Sequence, residues 1–164
     1  NDVNAFADLA THDLSILKFL FDNEIKLKSY IKHDILRFNS GDIISANFII
    51  KDIPIDINVS WLNPEKVRKI TIITSKKMIL FDEMNTSKPI QIYDNYANYP
   101  KISKFTDDYF SQKAFIYKGK SKYIKLNDKM PLDQEILDFI NDKKNISDID
   151  FSSEIIKISN KIIN

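Results

Sequence analysis

Two stretches of strict alternation, Ile43 to Lys51 and Ile55 to Trp61, constrain this chain more than any other feature. Ile44, Ala46, Phe48 and Ile50 recur at period two, and Ile55, Ile57, Val59 and Trp61 alternate with Asp56, Asn58 and Ser60. Successive side chains of a strand point to opposite faces, so each stretch reads as a strand with one buried and one wet face. That pattern belongs to antiparallel pairing, because parallel strands are covered on both sides and read as unbroken apolar runs. Ser40-Gly41-Asp42 turns into the first stretch and Lys51-Asp52 separates the two, which makes them a hairpin.

Asn63-Pro64-Glu65 closes the second strand, since proline has no amide hydrogen to donate. Val67 to Thr74 and Met78 to Asp82 read as another hairpin about Ser75-Lys76-Lys77, Pro89 to Tyr93 as a further strand, and Ile25 to Phe38 as one or two more. Asn95 to Gln112 is polar, aromatic and aperiodic, and is expected to be a loop. Phe115 to Tyr117 and Lys122 to Leu126 are expected as edge strands whose lysines discourage further pairing. Helices flank the strands. Ala7, Ala10, Leu14, Leu17 and Phe21 recur at spacings of three and four, drawing one apolar stripe along a helix within Asn1 to Phe21. Leu132, Ile136, Phe139 and Ile140, behind Pro131, make the apolar face of a second helix, and Phe151, Ile155, Ile158 and Ile162 that of a third. Helix, strands, then two helices give an α+β fold: an open, mainly antiparallel sheet with helices packed on one face, in one domain over residues 1–164.

Composition matters mainly for what it excludes. The only glycines are Gly41 and Gly119, so neither a dinucleotide fingerprint, with three glycines in six residues, nor a Walker-type phosphate loop is present. With no cysteine, disulfide frameworks, thiolate metal sites and thiol nucleophiles are excluded together. Lys and Arg number 24 against 23 Asp and Glu, with the signs interspersed, so nucleic acid and anionic lipid are not expected partners. No apolar stretch approaches the roughly 18 residues that span a bilayer, and no secretory leader is visible, so the chain reads as soluble; a cytoplasmic location is permitted and is the expectation. The chain opens on Asn1 rather than methionine and is expected to be a processed chain, a truncation or a fragment of something longer.

The best chemistry lies on the opening helix. Asp8, His12 and Ser15 fall at i, i+4 and i+7 beside the apolar stripe, which puts the carboxylate and imidazole β-carbons about 5–6 Å apart. An imidazole titrates near neutral pH, and a carboxylate one helical turn away can hold its orientation, so the two residues suit acid–base work. The same spacing also describes an ordinary helix pair, and spacing alone leaves both readings open. His33, between Lys32 and Asp34, reads as a surface residue, and two histidines this far apart have no metal-ligand spacing. Trp61, Tyr93, Tyr96, Tyr99 and Tyr109 suit either a sugar-stacking wall or sheet anchors; for Trp61 the alternation favours the core. Lys66, Arg68 and Lys69, beside a proline turn, read as a solvated face. A sheet face left uncovered by the helices would serve as a subunit interface.

Asn1-Asp2-Val3-Asn4-Ala5 running into Asp8-Leu9-Ala10-Thr11-His12-Asp13-Leu14-Ser15-Ile16 resembles the start of the C-terminal domain in the glucose-fructose oxidoreductase and inositol dehydrogenase family (Gfo/Idh/MocA). Val59-Ser60-Trp61-Leu62-Asn63-Pro64 with Lys66-Val67-Arg68-Lys69-Ile70-Thr71-Ile72 is similar to that family's central sheet. Ser75-Lys76-Lys77-Met78-Ile79 with Phe81-Asp82 is similar to its next turn, and Ile90-Gln91-Ile92-Tyr93-Asp94 to its next strand. Pro131-Leu132 with Glu135 and Phe139 resembles the E-P-L-x-x-E helix, with Met130 where glutamate is usual. The wording around Asp8 and the S-K-K-M turn is closest to members that oxidise UDP-linked N-acetyl sugars at C3.

The resemblance implies half of an NAD(P)-dependent sugar or nucleotide-sugar dehydrogenase. A Rossmann domain that holds NAD or NADP and carries an active-site lysine is missing from this chain. By the same resemblance, His12 is the general acid–base, Asp8 orients it or contacts the substrate, and the sheet builds a homodimer or homotetramer. A non-catalytic module that associates through its sheet is the alternative.

Overall fold

The computed structural model describes residues 3–36, 38–98, 115–126, 131–141, 143 and 148–163. The chain forms two compact units, Asn1–Pro64 with Pro131–Asn164, and Glu65–Met130. The strands divide accordingly into two antiparallel sheets, of three and four strands.

In the first unit β1 (Lys26–His33), β2 (Ile43–Ile50) and β3 (Ile53–Ser60) lie in sequence order. The alternation does what it predicts. Ile44, Ala46 and Phe48 oppose Val59, Ile57 and Ile55, so the apolar sets of β2 and β3 share a face, and Ile44, Ala46, Phe48, Ile50, Ile57 and Val59 are buried there. Ile25 to Phe38 supplies one strand, paired to β2 with a register shift between Leu27 and Ser29, followed by a loop that returns to Gly41. The opposite face carries a polar row. Ser29 Oγ donates to Asn47 Oδ1 at 3.1 Å, and Asn47 Nδ2 donates to Asp56 Oδ1, tying the three strands across one row.

The opening helix packs on the apolar face. Asn4 is buried and its Oδ1 accepts the Ala7 amide at 3.0 Å, while the Ala5 amide donates to the Gly41 carbonyl at 3.0 Å. Gly41 sits at φ 60°, and a Cβ there would lie 2.9 Å from the Asn4 Cβ, so the turn needs glycine both for its conformation and for the close approach. The helix begins as a π turn (Phe6–Ala10) and continues as α1 (Thr11–Phe21) to Asp22, whose φ of 42° ends it. The wider π turn shifts the phase of the expected stripe. Ala10 and Leu14 are fully buried, as are Ala5 and Phe6, which lie off the stripe, and the Phe6 ring stacks on Phe48 with centroids 6.0 Å apart.

The third helix, α3 (Ile149–Ile163), packs against α1 and the π turn and buries Ile155, Ile158 and Ile162, as its spacing predicts. Each such side chain contributes about 1.5–3 kcal/mol of burial. The second helix, α2 (Pro131–Ile140), forms where expected, but the packing expected of its apolar face is not found: Leu132, Phe139 and Ile140 are 62%, 86% and 69% exposed. Among the described residues no helix is long and apolar enough to cross a membrane.

The second unit is a meander of β4 (Lys69–Ile73), β5 (Met78–Asp82), β6 (Ile90–Asn98) and β7 (Phe115–Ile124). Thr74 closes the first turn, its amide donating to the Lys77 carbonyl at 2.8 Å and its Oγ1 accepting the Lys77 amide at 2.9 Å. Two expectations change here. Asn95 to Asn98, expected in a loop, extend β6, while residues 99–112 of that expected loop lie outside the described residues. The two expected edge strands, Phe115 to Tyr117 and Lys122 to Leu126, form one strand ending at Ile124, because a bulge opposite the Tyr93–Asn95 step takes up one extra residue of β7 and keeps the pairing continuous.

Gly119 sits at that bulge, where a Cβ would collide with the Asp94 carbonyl oxygen. Gly119→Ala is therefore expected to cost about 1–3 kcal/mol through overpacking against backbone. Hydrogen exchange should show it as lost amide protection along β6 and β7, with β1 to β3 unchanged.

The register of this sheet gathers apolar residues on one side. Ile70, Phe81, Ile90 and Ile124 form one row, and Ile72, Ile79 and Ile92 the next, ending in Lys122. All but the exposed Ile124 and Lys122 are half-buried, and among the residues of this unit whose burial is described only Pro89 is buried.

Candidate active site

Asp8 lies within the π turn and His12 in the first turn of α1, so the junction between the two helix types runs between them. A π turn brings residue i toward i+5 rather than i+4, which alters the stacking expected of a uniform helix. Both side chains are exposed, and no hydrogen bond joins them. The Asp8 carboxylate instead accepts the indole Nε1–H of Trp61 through Oδ2 at 2.8 Å. His12 has no hydrogen-bond partner among the described residues. Ser15, the third member of the expected stripe, is used locally: its hydroxyl donates to the Thr11 carbonyl at 2.8 Å.

Trp61 follows the last residue of β3. Its ring is half-buried against the core, as the alternation predicts, and its amide donates to the Asp42 carbonyl at 3.0 Å. Asp42 is 1% exposed, and its Oδ2 accepts the amides of Ile35 and Leu36, each at 2.8 Å, and the Ser40 hydroxyl at 2.6 Å. Asp34 supports the same loop, accepting the Asn39 amide at 3.0 Å and the Gly41 amide at 2.8 Å. One hydrogen-bonded framework thus runs from the β1–β2 loop through Asp42 to Trp61 and on to Asp8. Sequence reasoning found Asp8, His12 and Trp61 but did not join the tryptophan to the carboxylate. Asp42 was read only as part of a turn.

Other candidates fall away. His33 is exposed on β1, and among the described residues no group of His, Asp and Glu has the makings of a metal site. Arg68 pairs with Glu83 at 2.9 Å and Lys69 with Asp82 at 3.2 Å, which fits the solvated face expected of that cluster. Tyr93 is half-buried on β6, Tyr96 lies on the same strand, and Tyr99 and Tyr109 lie outside the described residues. A cavity of about 450 Å³ opens between the end of α1 and the start of α3, lined by Lys18, Phe19, Asp22, Asp148, Phe151 and Glu154 among others, and includes neither Asp8 nor His12. Its one lysine is paired with Glu154 at 2.8 Å.

No family model and no curated protein matches this chain. Solved structures do. Two structures of UDP-N-acetylglucosamine 3-dehydrogenase GnnA from Acidithiobacillus ferrooxidans are similar over 98% of this chain and 46% of theirs, at 15% identity, with TM-scores of 0.69 and 0.71. The dehydrogenase MviM from Clostridium difficile is similar over 100% of this chain and 50% of its own, at 13% identity, with a TM-score of 0.64. The chain spans about half the length of the solved structures it matches, and over that half it has the fold of these dehydrogenases.

Proposed function

We propose that residues 1–164 are the substrate-binding and oligomerisation domain of an NAD(P)-dependent dehydrogenase of the Gfo/Idh/MocA family, acting on a sugar or nucleotide sugar. The observation that carries this reading is the opening helix. It presents at His12 an exposed imidazole, unpaired among the described residues, one turn from a carboxylate held in place at Asp8, within a fold shared with half of a nucleotide-sugar dehydrogenase.

The described residues do not form a dinucleotide site of the Rossmann kind. Gly41 lies in the loop between two strands and Gly119 inside β7, so neither stands at a strand-to-helix turn where backbone amides would cradle a pyrophosphate. NAD or NADP is assigned to a separate Rossmann domain, and hydride acceptance is the chemistry it would bring. The task left to this chain is the proton. Oxidation of a sugar hydroxyl to a ketone breaks a C–H and an O–H bond, and the imidazole of His12 takes the proton released from oxygen. Asp8 orients that ring or accepts a bond from a neighbouring substrate hydroxyl. The apolar rows of the four-stranded sheet are the surface we assign to homodimer or homotetramer formation, and a cytoplasmic location belongs to the same reading.

The test joins this chain to an NAD(P)-binding Rossmann domain and follows reduction of NAD or NADP with UDP-N-acetyl sugars and free sugars. Reduction that requires both domains supports the reading. Stable self-association with no sugar-dependent reduction would overturn it in favour of the non-catalytic sheet module, which the half-buried apolar rows also suit.

A further inference from the structure

The chain contains a single tryptophan, and its indole is the one side chain that bonds the Asp8 carboxylate among the described residues. From this geometry we infer that Trp61 is a positioning residue for the site: by donating Nε1–H to Asp8 Oδ2 it fixes the carboxylate so that Oδ1 is presented to the His12 imidazole or to a substrate hydroxyl. The inference rests on the dehydrogenase reading above. It goes beyond that reading in assigning a role to a residue on a different element from the helix that carries the chemistry.

Three observations support it. Asp8 is exposed, and an exposed aspartate with no second partner would sample several rotamers; the 2.8 Å bond selects one. The donor is itself fixed, because the ring packs on the core and the Trp61 amide donates to the carbonyl of fully buried Asp42. The bond also uses only one carboxylate oxygen, and Oδ1 has no partner among the described residues. A rigid donor on the sheet thus aims an acceptor on the helix, in a turn whose wider π geometry would not by itself stack Asp8 on His12.

The first arm of the test needs no activity. A ¹⁵N-labelled chain has one indole N–H resonance, which is expected to be protected from solvent exchange and to move toward the free-indole position in Asp8→Ala. An unmoved, unprotected resonance in both forms would overturn the contact. The second arm uses the chain joined to its NAD(P)-binding domain. Trp61→Phe keeps the ring's packing and removes the donor, and is expected to lower kcat roughly 10–100-fold, with KM changed by about twofold or less.

In an Asp8→Ala background the same substitution is expected to cost almost nothing further, because its effect runs through the missing carboxylate. A full second loss in that background, or an unchanged kcat in Trp61→Phe alone, would overturn the positioning role. His12→Ala is the control that separates the two ideas. If it leaves turnover intact the dehydrogenase mechanism fails, whereas if it abolishes turnover while Trp61→Phe does not, only the inference about Trp61 fails.

Discussion

On the dehydrogenase reading proposed above, the chain carrying His12→Ala, joined to an NAD(P)-binding domain, is expected to oxidise a sugar or nucleotide sugar about 10²- to 10⁴-fold more slowly than the parent, the usual worth of a positioned general acid–base. In that proposed role the loss should fall on kcat, because the imidazole would act as the hydroxyl proton departs and would add little to holding the sugar beforehand. Stability should barely change. His12 is exposed and unpaired among the described residues, alanine is the better helix former, and surface substitutions of this kind usually stay within about 0.5 kcal/mol. An exposed position also leaves room for added imidazole to enter, so partial recovery of turnover with free imidazole is expected in His12→Ala and not in the parent. Undiminished turnover, or a loss that appears wholly in KM, would remove the proton-transfer role.

The contrast between what was readable and what was not follows the range of the interactions. The β2–β3 hairpin was readable because a strand buried on one side writes its orientation into every second residue, and the register then pairs Ile44 with Val59 and Phe48 with Ile55. The third helix was readable for the same reason at its own period. The π turn was not: Phe6 to Ala10 reads as well at 3.6 residues per turn, and only docking of Phe6 on Phe48 and of Ala5 on Gly41 shows which phase is adopted. The continuity of β7 was within reach, since a lone glycine inside a strand pattern signals a bulge, and Gly119 is one. The apolar pattern of α2 predicted the helix correctly but not its surroundings, because periodicity states which face is apolar and not what covers it.

At the site, the shared helix of Asp8 and His12 was legible, and the link to Trp61 was not. The partners are 53 positions apart, and the alternation that placed Trp61 in the core says nothing of where its N–H points. A buried or half-buried tryptophan nearly always finds an acceptor for that hydrogen, so the useful question of the sequence was which carboxylate or carbonyl would meet it.

Asp42→Ala is expected to have the largest effect on stability of any single change in the first unit, although the residue reads in sequence as part of an unremarked turn. Its carboxylate is buried, and among the described residues one oxygen, Oδ2, accepts three hydrogen bonds, from the amides of Ile35 and Leu36 and the hydroxyl of Ser40. Bonds to a charged acceptor contribute about 1.5–3 kcal/mol each. The Ile35 and Leu36 amides lie in a partly exposed loop and regain water when the acceptor is lost, whereas Ser40 is 3% exposed and does not. The sum is therefore less than three full bonds, but about 3 kcal/mol or more remains. For a unit of this size that corresponds to a fall of roughly 10 °C or more in its unfolding midpoint.

Asp42→Asn separates charge from shape. An amide oxygen in the place of Oδ2 can still face all three donors, so the asparagine form is expected to lie between the parent and Asp42→Ala. Hydrogen exchange should locate the damage, with the Ile35 and Leu36 amides losing protection first and the β4–β7 amides unchanged. The indole resonance of Trp61 should respond as well, because the Asp42 backbone carbonyl holds the Trp61 amide, and a loosened β1–β2 loop loosens the donor that holds Asp8. An Asp42→Ala chain with the parent's midpoint, and with those two amides still protected, would mean that Oδ2 is not what closes the loop, and the framework from loop to tryptophan to carboxylate would have to be anchored elsewhere.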